Sequence, residues 1–179
     1  ASACGGVIKL IGRAHKRKDG RLDCIVAPMV IPKSSQLAEV NDVFNGILVR
    51  GDAIGDVVFY GQGAGKLPTA SAVVADIIDE VKHFNARKRL SWEPGEEGYI
   101  ADYRDTKNAV MIRLRYDNID FAMETFKKVL GECKRITIKN ALENEFAIVT
   151  PMTSDRKIDE AVKSLPGAEV LNCLRIADL

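Results

Sequence analysis

The sequence predicts an α+β fold in two parts: a strand-rich, mixed-sheet N-terminal part that ends on one long amphipathic helix, then a βαββαβ module. Three observations carry this expectation. Before residue 62, runs rich in β-branched residues alternate with Asp-Gly and Gly-Asp turns. After Thr69, Val73, Val74, Ile77, Ile78, Val81 and Phe84 fall one and three residues apart, which makes one helical stripe. Beyond Thr106 the pattern switches between periods of two and 3.6 in a fixed strand and helix order.

Taken in chain order, residues 6–15 (GVIKLIGRAH) and 21–31 (RLDCIVAPMVI) read as strands around the turn dipeptide Asp19-Gly20, hence a hairpin. Pro32 ends the second strand, and SSQLAEV offers serine caps for a short helix at best. Residues 45–52 (NGILVRGD) and 55–61 (GDVVFYG) restore strand character. The long helix follows, with Thr69 as its expected cap. Residues 86–105 are charged and contain Pro94-Gly95 without a sustained period, so they read as a linker, with Trp92 expected to anchor it on a neighbouring domain. Strand 108–116, helix 119–130, strand 133–140, strand 145–151, helix 154–165 and strand 168–176 complete the chain. Both helices carry an apolar stripe, so four strands covered on one face by two helices form the ferredoxin-like split arrangement.

At 179 residues the chain is long enough to bury a core. Its 26 basic and 25 acidic residues leave a formal charge of +1, which gives no field for nucleic acid or anionic lipid, and neither is expected as a partner. The basic cluster from Arg13 to Arg21 reads as a solvated hairpin tip, since no aromatic platform interleaves it. Cys4, Cys24, Cys133 and Cys173 are dispersed, and only His15 and His83 could join them, so no metal site is expected. Neither histidine has a nucleophile or acid at motif spacing, and no catalytic residue is assigned. Dispersed thiols and the lack of an apolar run near 20 residues suit the cytoplasm and argue against a membrane. The chain opens at Ala1, in strand-like sequence without methionine, and reads as a fragment.

The stretch FYGQGAGKLPTASAVVADI, residues 59–77, poses the nucleotide question. A P-loop needs G-x-x-x-x-G-K-[ST], but Tyr60 stands at the first glycine and Leu67 at the hydroxyl. A dinucleotide turn needs G-x-G-x-x-G, but Gly65 comes one place early and no acidic residue follows at a strand end. What remains is a glycine loop that opens a helix, a place that favours anions.

Residues 41–77 as a whole resemble the end of the catalytic region of homoserine dehydrogenases, where N-x-I-x-V-x-G-D-x-x-G precedes F-Y-G-x-G-A-G-x-x-P-T-A-S-A-V. GGVIKLIGRAHK resembles the family's earlier G-x-I-K-L-I strand, and the βαββαβ segment resembles the ACT regulatory module of bacterial members. The resemblance implies that residues 1–90 are the C-terminal part of a substrate and dimerisation domain, 91–106 a linker, and 107–179 an ACT-like domain. It implies an NAD(P)-dependent oxidoreductase acting between L-homoserine and L-aspartate 4-semialdehyde, in threonine, methionine and isoleucine biosynthesis. No G-x-G-x-x-G turn and no D-x-x-G-x-D-x-x-x-K motif are present, so these residues alone are expected to be inactive and to hold no bound cofactor.

For the glycine loop, the resemblance implies that Gly65, with Gly63 and Ala64 beside it, comes close to the nicotinamide cofactor, glycine being needed for clearance. The long helix would then have its partner surface in the nucleotide domain, leaving the stripe from Val73 to Phe84 exposed here. In the ACT-like part, Asp117, Asn118 and Ile119 hold the place of the family's amino-acid effector loop, with threonine as the candidate ligand. That loop usually reads D-x-P-G; Asp117-Asn118-Ile119-Asp120 lacks the proline and the glycine and adds a carboxylate, which favours a dimerising or vestigial module. A homodimer is expected in either case. The other reading is a stand-alone ACT-like binding or dimerisation module without enzymatic activity.

Overall fold

The computed structural model describes residues 1–86, 91–137 and 141–177. In chain order its elements are β1 (Gly6–Lys16), β2 (Leu22–Pro32), β3 (Phe44–Gly51), β4 (Gly55–Gln62), α1 (Lys66–Lys82), β5 (Ala109–Arg115), α2 (Ile119–Leu130), β6 (Lys134–Ile136), β7 (Glu145–Val149), α3 (Asp155–Lys163) and β8 (Glu169–Ile176), with short 3-10 turns between some of them. The chain forms two compact units, one made of Ala1–Lys33 with Gly95–Leu179 and the other of Ser34–Pro94.

The first unit is built on one mixed sheet with strand order β1-β2-β8-β5-β7-β6. Four of its strands, β8-β5-β7-β6, form the expected βαββαβ arrangement, with β5 antiparallel to both β7 and β8, and β6 antiparallel to β7. Alternation along the strands turns Val110, Ile112 and Leu114 of β5 and Phe146 and Ile148 of β7 toward the helices. There they meet Ala122, Phe126 and Leu130 of α2 and Ile158 and Ala161 of α3, all of them buried. Burying each large side chain stabilises the fold by about 1.5–3 kcal/mol, so this cluster is the unit's main anchor.

Helix α2 covers 119–130 as its periodicity predicts, with Asn118 as cap and Gly131, at φ 95, as the stop. Strand β6 is shorter than the 133–140 run predicts: its ladder ends at Ile136, and residues 138–140 lie outside the described residues.

Strands β1 and β2 form the predicted hairpin, paired from Gly6 opposite Pro32 to Lys16 opposite Leu22. The hairpin joins the βαββαβ sheet, because β2 runs parallel to β8 through Met29 opposite Arg175 and Val30 opposite Ile176. Ala177 N–H extends this seam by donating to Val30 C=O at 2.9 Å. The compact units therefore divide the chain after residues 33 and 94, whereas the domain ranges read from the sequence divide it after 90 and 106.

The second unit holds the β3-β4 hairpin, paired from Phe44 opposite Gln62 to Gly51 opposite Gly55, and α1. Phe44 and Tyr60 stack with ring centroids 4.9 Å apart. Leu37 and Val40, from the 3-10 turn Gln36–Glu39 and its end, close over Gly46, where an added Cβ would lie 2.8 Å from Leu37 Cδ2. Two expectations change here. Thr69 is not the cap of α1: the helix opens at Lys66, and Thr69 N–H donates to Gly65 C=O at 3.1 Å as the first intrahelical bond. Pro68 fits inside that first turn because the amide it lacks would have no helical partner. Trp92 does not pack on the described residues, being fully exposed at 102%.

Candidate functional site

The glycine loop lies between β4 and α1, and its glycines are placed by different constraints. Gly61 has open space where a Cβ would stand. Gly63 does not, since a Cβ there would lie 2.1 Å from Asn45 Nδ2, on the neighbouring strand. Gly65 caps α1 at φ 119 and ψ 152, a conformation essentially restricted to glycine. A Cβ on Gly65 would also stand 3.4 Å from Pro68 Cδ.

Electrostatically, Gly65 contributes no side-chain cap to α1, and Pro68 has no amide proton. The Lys66 and Leu67 amides thus belong to the set of first-turn donors that a helix leaves without intrahelical partners, at the positive end of a 17-residue helix. A helix start of this kind favours negative charge. Gly63, Ala64 and Gly65 are the residues of this loop that could hold a cofactor edge. Lys66 is exposed. Asn45, which backs the loop at Gly63, opens the N-x-I-x-V-x-G-D-x-x-G run, but its contact with Gly63 lies across a hairpin and does not follow from motif spacing.

The stripe of α1 is exposed along its whole length: no residue of the helix is buried, and Ile77 and Val81 are 57% and 71% exposed. A helix with this pattern normally hides its stripe. That is the exposure expected from the sequence.

The loop between β5 and α2 is tied down by hydrogen bonds within its own chain. Asn118 Oδ1 accepts the Phe121 N–H at 3.0 Å, Asp117 Oδ1 accepts Asn144 Nδ2 at 2.9 Å, and Tyr116 N–H donates to Asn144 C=O at 2.9 Å. Asn144 adopts φ 64, a conformation asparagine tolerates better than most residues. Ile119 opens the helix. Of Asp117, Asn118 and Ile119, Asp117 is thus brought against Asn144, which the sequence reading does not single out.

Other chemistry is sparse. Partial burial, with the Glu132 charge adding to it, pushes the Cys133 thiol up and away from thiolate. The Arg113 guanidinium, 2.7 Å from Glu145, holds that carboxyl below its usual range, so the pair is ionic on the sheet face away from the helices. Among the described residues no group of three or more His, Cys, Asp or Glu side chains is arranged to hold a metal, and no helix is long and apolar enough to cross a membrane.

Comparison with known proteins converges on one family. The family model for homoserine dehydrogenase matches residues 1–78. A homoserine dehydrogenase of Neisseria gonorrhoeae is 49% identical over 189 residues, covering 97% of this chain and 42% of that protein. One from Mycobacterium bovis is 42% identical over 197 residues, covering 96% and 42%. Among solved structures, a homoserine dehydrogenase from Thiobacillus denitrificans superposes with a TM-score of 0.78 at 24% identity, over 99% of this chain and 44% of that one, which shows the shared fold. The S. aureus enzyme gives 0.71 at 28% identity over 99% and 43%. The chain thus spans less than half the length of the relatives it matches. It belongs to the homoserine dehydrogenase family and corresponds to the C-terminal portion of its members.

Proposed function

We propose that this chain is the C-terminal part of an NAD(P)-dependent, cytoplasmic homoserine dehydrogenase interconverting L-homoserine and L-aspartate 4-semialdehyde, a step toward threonine, methionine and isoleucine. The observation that carries the reading is Gly65, which opens α1 in a glycine-only conformation inside a segment that matches the family. When bound, the nicotinamide cofactor supplies or accepts the hydride. This chain's part is to position it: Gly65, with Gly63 and Ala64 beside it, gives the backbone clearance at its edge, and the start of α1 presents positive potential. The 179 residues hold no G-x-G-x-x-G turn and no D-x-x-G-x-D-x-x-x-K motif, so by themselves they neither retain the cofactor nor turn over.

Residues 107–179 would serve the enzyme as an ACT-like regulatory module, with homodimerisation through the sheets. The bonds already made by Asp117 and Asn118 favour a structural role for this module over binding of an effector such as threonine. The stand-alone reading is disfavoured by residues 1–78, which carry the family match outside the βαββαβ segment.

A chimera tests the proposal, with this chain replacing the corresponding C-terminal segment of the N. gonorrhoeae enzyme. We expect NADPH oxidation with aspartate semialdehyde by the chimera and none by the 179-residue chain. A folded chimera without activity, or an active isolated chain, would refute it.

A further inference from the structure

The stretch that reads as a linker is docked over residues 99–106. Leu22 N–H donates to Tyr99 C=O at 2.9 Å and Ala101 N–H donates to Leu22 C=O at 2.8 Å, a local parallel bridge to β2. Asp102 Oδ1 then accepts the Arg104 N–H at 2.9 Å and caps the 3-10 turn Tyr103–Asp105. From that turn, side chains of both signs reach α3. Arg156 donates through Nη2 to Asp102 Oδ2 at 2.6 Å and through Nε to Asp105 Oδ1 at 2.5 Å. Arg104 donates in the opposite sense to Asp159, one turn further along α3. Arg175 of β8 pairs with Asp155 and lies over the Tyr103 ring, 5.6 Å from its centroid. Thr106 Oγ1 finishes the contact by donating to Asp23 Oδ1 at 2.8 Å.

Reciprocal charge gives this contact a register. The stretch offers two carboxylates to one guanidinium and one guanidinium to a carboxylate, so sliding it along α3 brings like charges together. The contact is not held by a packed core. A hollow of about 370 Å³ lies at Tyr103, Arg104, Asp155, Ile158, Asp159 and Arg175, and Tyr103 is half exposed. Ala101 is the buried apolar residue of the stretch. Exposed ion pairs are screened by salt, whereas the cluster beneath α2 and α3 is held by apolar burial that salt does not weaken. The two parts therefore respond differently to ionic strength.

We propose that residues 99–106 form a detachable strap: an ionic clasp that fixes where the chain enters the βαββαβ module and that undocks locally while the module stays folded. Such openings have lower free energy than global unfolding.

Amide hydrogen exchange on the full chain tests this. The amides of Ala101, Asp105 and Thr106, all hydrogen-bonded in the docked strap, report its opening, and those of Ile112 and Ile148 report the core. We expect strap exchange to quicken roughly five-fold between low salt and about 1 M salt, with core exchange unchanged. Arg156→Glu should give the same acceleration at low salt. Arg104→Asp and Asp159→Arg should each loosen the strap singly and restore protection when combined. Strap exchange that tracks the core at every salt concentration, or a double variant as unprotected as the singles, would overturn the proposal. Should Arg156→Glu fail to fold, the salt series and the charge exchange still decide.

Discussion

At the scale of single residues, the glycine loop separates into positions with different requirements. Gly65 needs its backbone conformation, φ 119 with ψ 152, and an alanine there is strained by about 1–3 kcal/mol whatever space surrounds it. Gly61 has open space and a negative φ, so alanine there is tolerated and removes freedom from the unfolded chain. Denaturant unfolding that follows the second unit should therefore show Gly65→Ala lowering the midpoint and Gly61→Ala leaving it level or slightly raised. Equal loss from both would mean that the loop is constrained as a whole. Motif spacing locates this loop but does not distinguish the positions, because Gly63 is constrained by Asn45 across a hairpin and Gly65 by backbone torsion. The expected cap of α1 differs from the observed one for a similar reason. Thr69 has the side chain that caps helices, but the first turn accommodates Pro68, so the helix starts four residues after a β-strand, at Lys66.

At the scale of elements, those with a strong local period were the most legible. Helix α2, bounded by Asn118 and Gly131, follows directly from its stripe and its end signals. The period of α1 is equally clear, yet the helix buries none of its residues. Periodicity reports that a face is apolar, not that something covers it. This gives a test with two arms. In the 179-residue chain, Ile77→Gln with Val81→Gln should leave thermal stability within about 0.5 kcal/mol, as surface substitutions do, while lowering binding of a dye specific for apolar surface. In the chimera the same pair should be destabilising by more than about 1 kcal/mol, because a covered stripe loses apolar burial. No difference between the two chains would mean that the stripe stays uncovered in the longer protein.

At the scale of the whole molecule, the least legible feature was which segments share a sheet. The pattern marks the N-terminal hairpin and the βαββαβ run separately, and nothing local joins residues 22–32 to residues 169–176, more than a hundred positions later. The seam includes the β2-β8 pairing, the bond from Ala177 to Val30, and polar contacts from Arg13 to Asn108 at 3.0 Å and from Thr106 to Asp23 at 2.8 Å. Asn108 and Asp23 are both buried, so separating the hairpin from the module exposes β8 as an open sheet edge and strips partners from polar groups that were matched inside the fold. The compact unit should therefore follow the sheet and not the linear order. A chain in which residues 34–94 are replaced by a short Gly-Ser linker should unfold in one cooperative transition. Residues 107–179 expressed alone should be less stable by at least about 1–3 kcal/mol, the cost of leaving even one buried polar group unpaired, and should be prone to edge-to-edge association. If the isolated 107–179 segment proves monomeric and as stable as the deletion chain, the hairpin is an appendage and the domain boundary belongs at residue 106.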